Sequence, residues 1–176
     1  NDIQNFVKYV EYQTPSTTPE RENQTLTSIA RAASKYDLRL MNSDVFRSRY
    51  LKGKSKTIQQ LLSDAELAKL AVAARQEKAD WFMVGSSYIY DRGRSGATGQ
   101  FVCDGALSYK IYSVDDGTLM GGDTRTESST AATTDTCRTN VARKLGEMTL
   151  SEVGPQILAY SKNRSMYGKE ITLFVK

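Results

Sequence analysis

The sequence of 176 residues contains no histidine, and it has only three prolines and two cysteines. Histidine is the commonest general base and metal ligand, so its absence excludes Ser/His/Asp and Cys/His catalysis and every His-based metal site. No apolar run reaches about 18 residues, the length that a membrane-spanning helix needs. The opening residues, NDIQNFVKYV, lack the basic start and apolar centre of a signal peptide. We therefore expect no catalytic residues, no cofactor, no metal and no transmembrane segment in this chain.

The composition is that of a folded globular protein. Apolar residues make up 39% and charged residues 25% of the chain, and a chain of this length buries a sizeable core without metals or several disulfides. Lysine and arginine exceed aspartate and glutamate by 24 to 20, a net charge of +4, which is too mild to require an anionic partner. We expect a single α/β domain over residues 1–176. The absent initiator Met indicates a processed chain or a piece of a longer one, so a leader or lipid anchor would lie outside this window.

The two cysteines, Cys103 and Cys137, fit no CxxC metal or redox pattern. They have two interpretations on their own. As reduced residues they would be ordinary members of a core. As a disulfide they would close a loop of about 35 residues and stabilise the fold by roughly 3 to 4 kcal/mol, provided that the compartment is oxidising.

Hydrophobic periodicity predicts the element order β-α-β-α-β-β-β-α-β. Alternating apolar residues indicate strands, and apolar residues at helical spacing indicate helices. This order predicts an α/β (α+β) sandwich with a mixed β-sheet and helices packed on it. The predicted strands are 6–12, 37–40, 79–90, 100–114, 119–128 and 170–176, and the predicted helices are 19–34, 63–78 and one from about 134. The closing segment, GKEITLFVK, is either the last strand of this domain or the first strand of a following one.

Helix starts and faces follow from capping residues and spacing. Thr18 with Pro19 predicts the start of the first helix, and Ser63 with Glu66 forms an S-x-x-E capping box before the second. Gly154-Pro155 is expected to end or kink the last helix. Predicted apolar faces comprise Leu26, Ile29, Ala30 and Ala33 in the first helix, and Val141, Leu145 and Met148 in the last, which Thr134 or Asp135 would cap.

The stretch ADWFMVGSSYIY at 79–90 predicts a strand with two different faces. Alternation places Trp81, Met83 and Ile89 on one side. The apolar start of the strand predicts a position between helices, and its tyrosine end predicts an exit toward the surface. Gly85 predicts a close contact or a bulge. The opposite face carries Phe82, Val84, Tyr88 and Tyr90.

Three further patterns invite a binding interpretation. LKGKSKT resembles the end of a phosphate-binding loop, but Ser48 occupies the place of the required glycine. GRSGATG precedes a strand and not a helix, which favours a hairpin loop. Asp115 and Asp116 before a glycine predict a tight turn between two strands. What remains is a basic segment that we interpret as a partner-docking surface, made of Arg47, Arg49, Lys52, Lys54 and Lys56.

Three segments together resemble a known group of domains. They are ADWFMVGSSYIY after a helix, LSYKIYSVDDGTLMGG, and the helix TNVARKLGEM after a Thr/Ser-rich bridge. The sequence resembles the periplasmic α/β domains related to the curli secretion channel lipoprotein, the N-terminal domain of the Tol-system β-propeller protein and the middle domain of flagellar assembly protein T. Ala79, Asp80 and Gly85 match the first signature, whereas the turn after Val114 is one residue shorter than in the group.

The resemblance implies a non-enzymatic component of the bacterial cell envelope, periplasmic or associated with the outer membrane. Such domains assemble into rings or dock on a larger flagellar, secretion or pilus-like machine, so the implied partners are other subunits of an assembly, including copies of the chain itself. The envelope is oxidising, and the resemblance therefore favours the disulfide between Cys103 and Cys137. An alternative function is an anion or nucleic-acid binding module that uses the basic segment with Arg92 and Arg94.

Overall fold

The fold is a five-stranded mixed sheet with helices on both faces. The structure, a computed structural model, describes residues 6–11, 24–40, 49–50 and 58–167. In chain order the elements are β1 (Phe6–Glu11), α1 (Gln24–Ala33), a short 3-10 turn (Ser34–Tyr36), β2 (Arg39–Leu40), α2 (Ile58–Leu61), α3 (Asp64–Gln76), β3 (Trp81–Arg94), β4 (Phe101–Ser113), β5 (Leu119–Ala131) and α4 (Thr134–Tyr167).

The strands lie in the order β2-β1-β3-β4-β5. β1 runs parallel to β2 and to β3, while β3, β4 and β5 form an antiparallel meander. The predicted mixed sheet with packed helices is therefore confirmed. Only the first five residues of β3, from Trp81 to Gly85, pair with β1. Beyond this parallel part, β3, β4 and β5 extend as a three-stranded ribbon.

The core has two halves, one on each face of the sheet. α1 and α4 cover one face, where Ile29, Trp81, Leu107 and Leu145 are almost completely buried. The smaller half lies under α2 and α3 on the other face and contains Phe82, Val84 and Tyr112. The predicted division of the apolar residues of β3 between two faces is confirmed, because Trp81, Met83 and Ile89 belong to the first half and Phe82 and Val84 to the second.

The turn between β4 and β5 is the predicted tight hairpin. Gly117 has a φ of 71°, a left-handed conformation that favours glycine. The Thr118 backbone N–H donates to Asp116 Oδ1 at 2.9 Å, so this aspartate closes the turn, as short acidic side chains commonly do.

Helix α4 differs most from the prediction, because Gly154-Pro155 does not end it and the helix continues to Tyr167. Pro155 leaves the Ser151 carbonyl without its intrahelical donor, but Val153 and Ile157 are buried on either side, and their burial favours continuation. Thr133 caps this helix in place of the predicted Thr134 or Asp135, and its Oγ1 accepts from the Thr136 N–H at 3.2 Å. Met148, predicted to face the core, is 40% exposed.

Two other helix details also correct the sequence prediction. On α1, Ala30 is exposed and Ala32 takes its place in the buried face. The capping box before α3 does not form, because Ser63 Oγ donates to the Gln60 carbonyl at 2.8 Å and Glu66 binds Lys69 Nζ at 2.9 Å. The prediction for a strand at 170–176, and for the first turn of α1 at 19–23, lies outside the described residues.

Candidate interaction surface

The predicted docking segment falls largely outside the described residues, which include only Arg49 of its five cations. Arg49 Nη1 lies 2.8 Å from Glu77 Oε1, and the Tyr50 hydroxyl donates to the same oxygen at 2.7 Å. The bond to Glu77 is the main cause that raises the pKa of Tyr50. Arg49 and Tyr50 are thus held against the end of α3, and the docking role of the segment stays a prediction.

Arg92 and Arg94 lie at the far end of β3. Arg92 Nη1 is 3.3 Å from Asp104 Oδ2, and the Arg94 guanidinium lies 4.6 Å above the centre of the Phe101 ring. Because a strand rises about 3.3 Å per residue, Arg92 lies about 35 Å along β3 from Trp81. Arg49 lies toward the Trp81 end of β3, because its partner Glu77 comes shortly before that strand. The structure does not bring these arginines together with Arg49 into one basic surface.

The ribbon of β3, β4 and β5 has one face that no described helix covers over most of its length. α4 packs along the opposite face, whereas α2 and α3 reach only the end near Phe82 and Val84. Directly paired residues share a face of a sheet, and the register joins Tyr88 to Ala106 and Thr126, and Tyr90 to Asp104 and Ser128. We call this surface the open sheet face and define its exposed residues as Tyr88, Tyr90, Ser108, Lys110, Thr124, Thr126 and Ser128.

Two stacked tyrosines form the most prominent feature of the open sheet face. The rings of Tyr88 and Tyr90 have centroids 6.0 Å apart and planes inclined by 22°, and the residues are 55% and 48% exposed. Aromatic side chains present a large rigid area at little cost in conformational entropy, and tyrosine is enriched where proteins bind each other. The prediction that the tyrosine end of this strand reaches the surface is correct.

A half-buried carboxylate, Asp104, supports one of these tyrosines, Tyr90. Asp104 Oδ1 accepts from Ser128 Oγ at 2.6 Å, and Oδ2 lies 3.4 Å from the Tyr90 hydroxyl and 3.3 Å from Arg92 Nη1. Asp104 therefore links all three strands of the ribbon through their side chains. Such support preorganises Tyr90 in its exposed position, which lowers the entropy that binding would otherwise cost.

The open sheet face continues into a groove at the end nearer α2. Its volume is about 560 Å³, and Leu62, Lys110, Leu119 and Met120 line it. Leu119 is 52% exposed. Gly122 forms part of the floor, where an added Cβ would lie 2.7 Å from the Tyr109 carbonyl oxygen. The open sheet face thus combines an apolar groove, a hydroxyl-rich centre and an aromatic pair.

Strand β5 borders this surface as an edge strand. Among the described strands it pairs only with β4, over Leu119–Ala131. Edge strands carry backbone donors and acceptors that can pair with another chain. Lys144 Nζ of α4 donates to the Ser128 carbonyl oxygen at 2.8 Å, so α4 contacts part of this edge.

The structure joins Cys103 and Cys137 in a disulfide, with Cα atoms 5.8 Å apart. Both residues are fully buried on the face that α4 covers. The bond links the beginning of β4 to the first turns of α4, away from the open sheet face. It is therefore a structural connection and does not contribute to the interaction surface.

The described residues offer neither a membrane-spanning helix nor a metal site. No helix in the described ranges is long and apolar enough to cross a membrane. No group of three or more His, Cys, Asp or Glu side chains in those ranges is placed to hold a metal ion. Tyr109 and Tyr112 are buried in the sheet, and this burial raises the pKa of each.

Comparison with known proteins identifies the fold without assigning a family. No family profile matches the sequence, and no curated protein matches it. Solved structures do match, so the chain shares its fold, a sheet with packed helices, with a class of known α/β domains. The comparisons confirm the resemblance predicted from the sequence at the level of the fold.

Three of these structures are similar over nearly their whole length. CT253 from Chlamydia trachomatis, a hypothetical protein, is 10% identical with a TM-score of 0.54 and covers 89% of this chain and 99% of its own. PelC from Paraburkholderia phytofirmans, a dodecamer, is 16% identical with a TM-score of 0.51, and the match covers 84% of this chain and 87% of PelC. Lipoprotein GNA1162 from Neisseria meningitidis is 13% identical with a TM-score of 0.50, covering 88% and 99%.

Sequence reasoning missed the open sheet face as a surface. Its signal is the alternation of hydroxyl-bearing residues in β5, where Thr124, Thr126 and Ser128 are exposed and share one face. Alternation indicates that one side of a strand is solvated. It does not say whether the chain later returns to cover that side, and the described helices do not.

Proposed function

We propose that the protein is a non-enzymatic module of the bacterial cell envelope, periplasmic or associated with the outer membrane, that acts through protein-protein contacts in a larger assembly. The fold that it shares with a lipoprotein and with a dodecameric protein supports this proposal. The buried disulfide adds support, because disulfides persist in oxidising compartments. The assembly is of the flagellar, secretion or pilus-like kind.

The open sheet face is the single observation that carries the proposal. Large exposed surfaces with aromatic residues and a polar rim are typical of contacts between proteins. Tyr88 and Tyr90 supply rigid aromatic area, and the groove beside Leu119 supplies a concave apolar end. The proposed occupant is another copy of the chain. A head-to-tail contact of this kind closes into a ring when the rotation between copies permits it.

Sedimentation velocity and particle imaging of the full-length protein test this proposal. Tyr88→Lys places a charge in the aromatic pair of the open sheet face, and we expect it to abolish the assembly. Val72→Lys is the matched control, because Val72 is 52% exposed on α3 and lies outside that surface. A wild-type protein that stays monomeric at high concentration and yields no crosslinked partner would contradict the proposal, as would equal loss in both variants.

The basic segment is a second proposed contact, made by Arg47, Arg49, Lys52, Lys54 and Lys56. Arg49 is its described anchor, because it pairs with Glu77 at the end of α3. Changing Lys52 and Lys54 to glutamate should weaken docking on the rest of the assembly while self-association through the open sheet face persists. Pull-down of the assembly with the double variant measures this difference.

The alternative function, binding of anions or nucleic acid, draws less support from the described residues. Arg49 and Arg92 each pair with a carboxylate, and they lie toward different ends of β3. Such binding should weaken steeply as salt increases. A lack of binding to DNA, RNA or anionic lipid at low salt would exclude this alternative.

A further inference from the structure

A second concave surface lies between α1 and α4, on the side of the sheet opposite the open sheet face. The two helices run in the same direction, because Thr139 Oγ1 donates to Gln24 Oε1 at 3.4 Å near their beginnings and Lys35 Nζ lies 3.8 Å from Glu147 Oε1 further along. Gly146 permits their close approach, since an added Cβ would lie 2.7 Å from the Ser28 carbonyl carbon. Outside this contact the helices leave a groove of about 300 Å³. We call it the helix groove.

The helix groove carries an excess of positive charge. Arg31, Lys35 and Arg143 line it together with a single carboxylate, Glu147. Lys35 and Glu147 form a long ion pair, with side chains 64% and 51% exposed. Within the described ranges, Arg143 donates only to the amide oxygen of Asn140 on its own helix, at 3.4 Å.

The side chain of Arg31 has no hydrogen bond or ion pair in the described part of the chain. Two guanidinium groups therefore face the helix groove without a carboxylate partner among the described residues. Guanidinium groups bind carboxylates through two parallel hydrogen bonds, a geometry that an ammonium group does not offer. The donors of the groove suit a ligand with several carboxylates.

We propose that the helix groove binds an acidic peptide segment of a partner protein. A single exposed ion pair contributes little against solvent, so a small free anion gains too little from this open site. A segment that places carboxylates near Arg31 and Arg143 at once gains from both. Glu147 within the groove repels any anion placed beside it, which disfavours a phosphate backbone or an anionic membrane with a charge at every position. A peptide can place an uncharged residue such as serine beside Glu147 while its carboxylates reach Arg31 and Arg143.

This inference depends on the proposed function, since it assigns a partner chemistry to a module that acts through protein contacts. It adds a second docking surface, and the two lie on opposite sides of the sheet. One copy of the chain can therefore contact a neighbour through the open sheet face and an acidic partner through the helix groove simultaneously.

Fluorescence anisotropy of the full chain with a fluorescein-labelled peptide of alternating glutamate and serine tests the proposal. The matched peptide has glutamine in place of glutamate. We expect binding of the glutamate peptide at low salt and none of the glutamine peptide. Arg143→Glu should weaken binding about tenfold, because it removes one attraction and adds a repulsion. Lys110→Glu, the same charge change on the open sheet face, should change binding less than about twofold.

Arg31→Gln provides a second variant that removes a charge without reversing it, and circular dichroism melting confirms that each variant folds. Equal affinity for the two peptides, equal effects of Arg143→Glu and Lys110→Glu, or tighter binding of single-stranded DNA or anionic vesicles would overturn the proposal. Sedimentation of the same variants separates the two surfaces. If the peptide does not bind while Tyr88→Lys still abolishes assembly, the proposed binding of an acidic peptide in the helix groove is wrong and the proposed function stands.

Discussion

Removal of the disulfide should destabilise the fold strongly. The perturbation is the double variant Cys103→Ala/Cys137→Ala, with alanine chosen because both positions are fully buried and a serine hydroxyl there would need a hydrogen-bond partner. The cysteines are 34 residues apart. For a loop of this size the chain-entropy relation gives about 13 cal/mol/K, or about 3.8 kcal/mol at 25 °C.

Lost packing adds to this entropy, because two buried sulfur atoms are removed from the contact between β4 and α4. We expect a total loss of about 4 to 5 kcal/mol in the free energy of unfolding. Stabilities of natural domains are about 5 to 15 kcal/mol. The variant should therefore be marginal at 37 °C, and the reduced wild-type protein should behave similarly.

Urea denaturation of the wild type with and without dithiothreitol measures the effect. The double variant is the control, because it has no disulfide and reductant should leave its unfolding midpoint unchanged. Mass measurement after alkylation counts the free thiols directly. Two free thiols in protein secreted to the envelope, or identical midpoints for the wild type in both conditions, would refute the reasoning. Either result would also withdraw the support that the disulfide lends to an oxidising location.

Three further predictions concern the stability of the fold. Gly146→Ala should lower the free energy of unfolding, measured by urea denaturation, by about 1 to 2 kcal/mol, because the added Cβ would meet backbone atoms of Ser28 and this overpacking outweighs the better helix propensity of alanine. The control Gly96→Ala, whose added Cβ meets nothing within 4 Å, should be close to neutral. Pro155→Ala should stabilise α4 by about 1 kcal/mol or more, since it restores the donor to the Ser151 carbonyl, and a lower melting temperature would contradict this. Burial raises the pKa of Tyr109 and Tyr112 above the ordinary value of 10.0, so the stability that depends on these hydroxyls should be complete below pH 10 and fall as the pH rises through the folded-state values. Tyr112→Phe should reduce that fall in thermal melts at alkaline pH, and an unchanged pH profile would contradict this prediction.

Much of the fold was predictable because it depends on short-range patterns. The Asp-Gly turn at 116–117 and the two faces of β3 follow from residues adjacent or two apart in the sequence. The helix ends were less accurate. The capping box at Ser63 competes with a bond to the Gln60 carbonyl, and such competition between local hydrogen bonds is not visible in the residue types alone.

The candidate surfaces were less predictable than the elements that carry them. The sequence indicated correctly that the end of β3 with Tyr88 and Tyr90 reaches the surface. It did not indicate that Asp104 of β4 and Ser128 of β5 support that end, because these contacts join three different strands. The basic segment was conspicuous in the sequence, yet only Arg49 of it lies among the described residues.

The sequence by itself determined the element types, the mixed α/β architecture and the absence of histidine chemistry, because periodicity and composition are local properties. Tertiary structure alone decided which faces are covered. α4 continues through Pro155 because burial of Val153 and Ile157 outweighs one lost hydrogen bond. It lies along one face of the ribbon and beside α1, a segment more than 100 residues earlier in the chain. That placement forms the helix groove and leaves most of the open sheet face without a described helix over it.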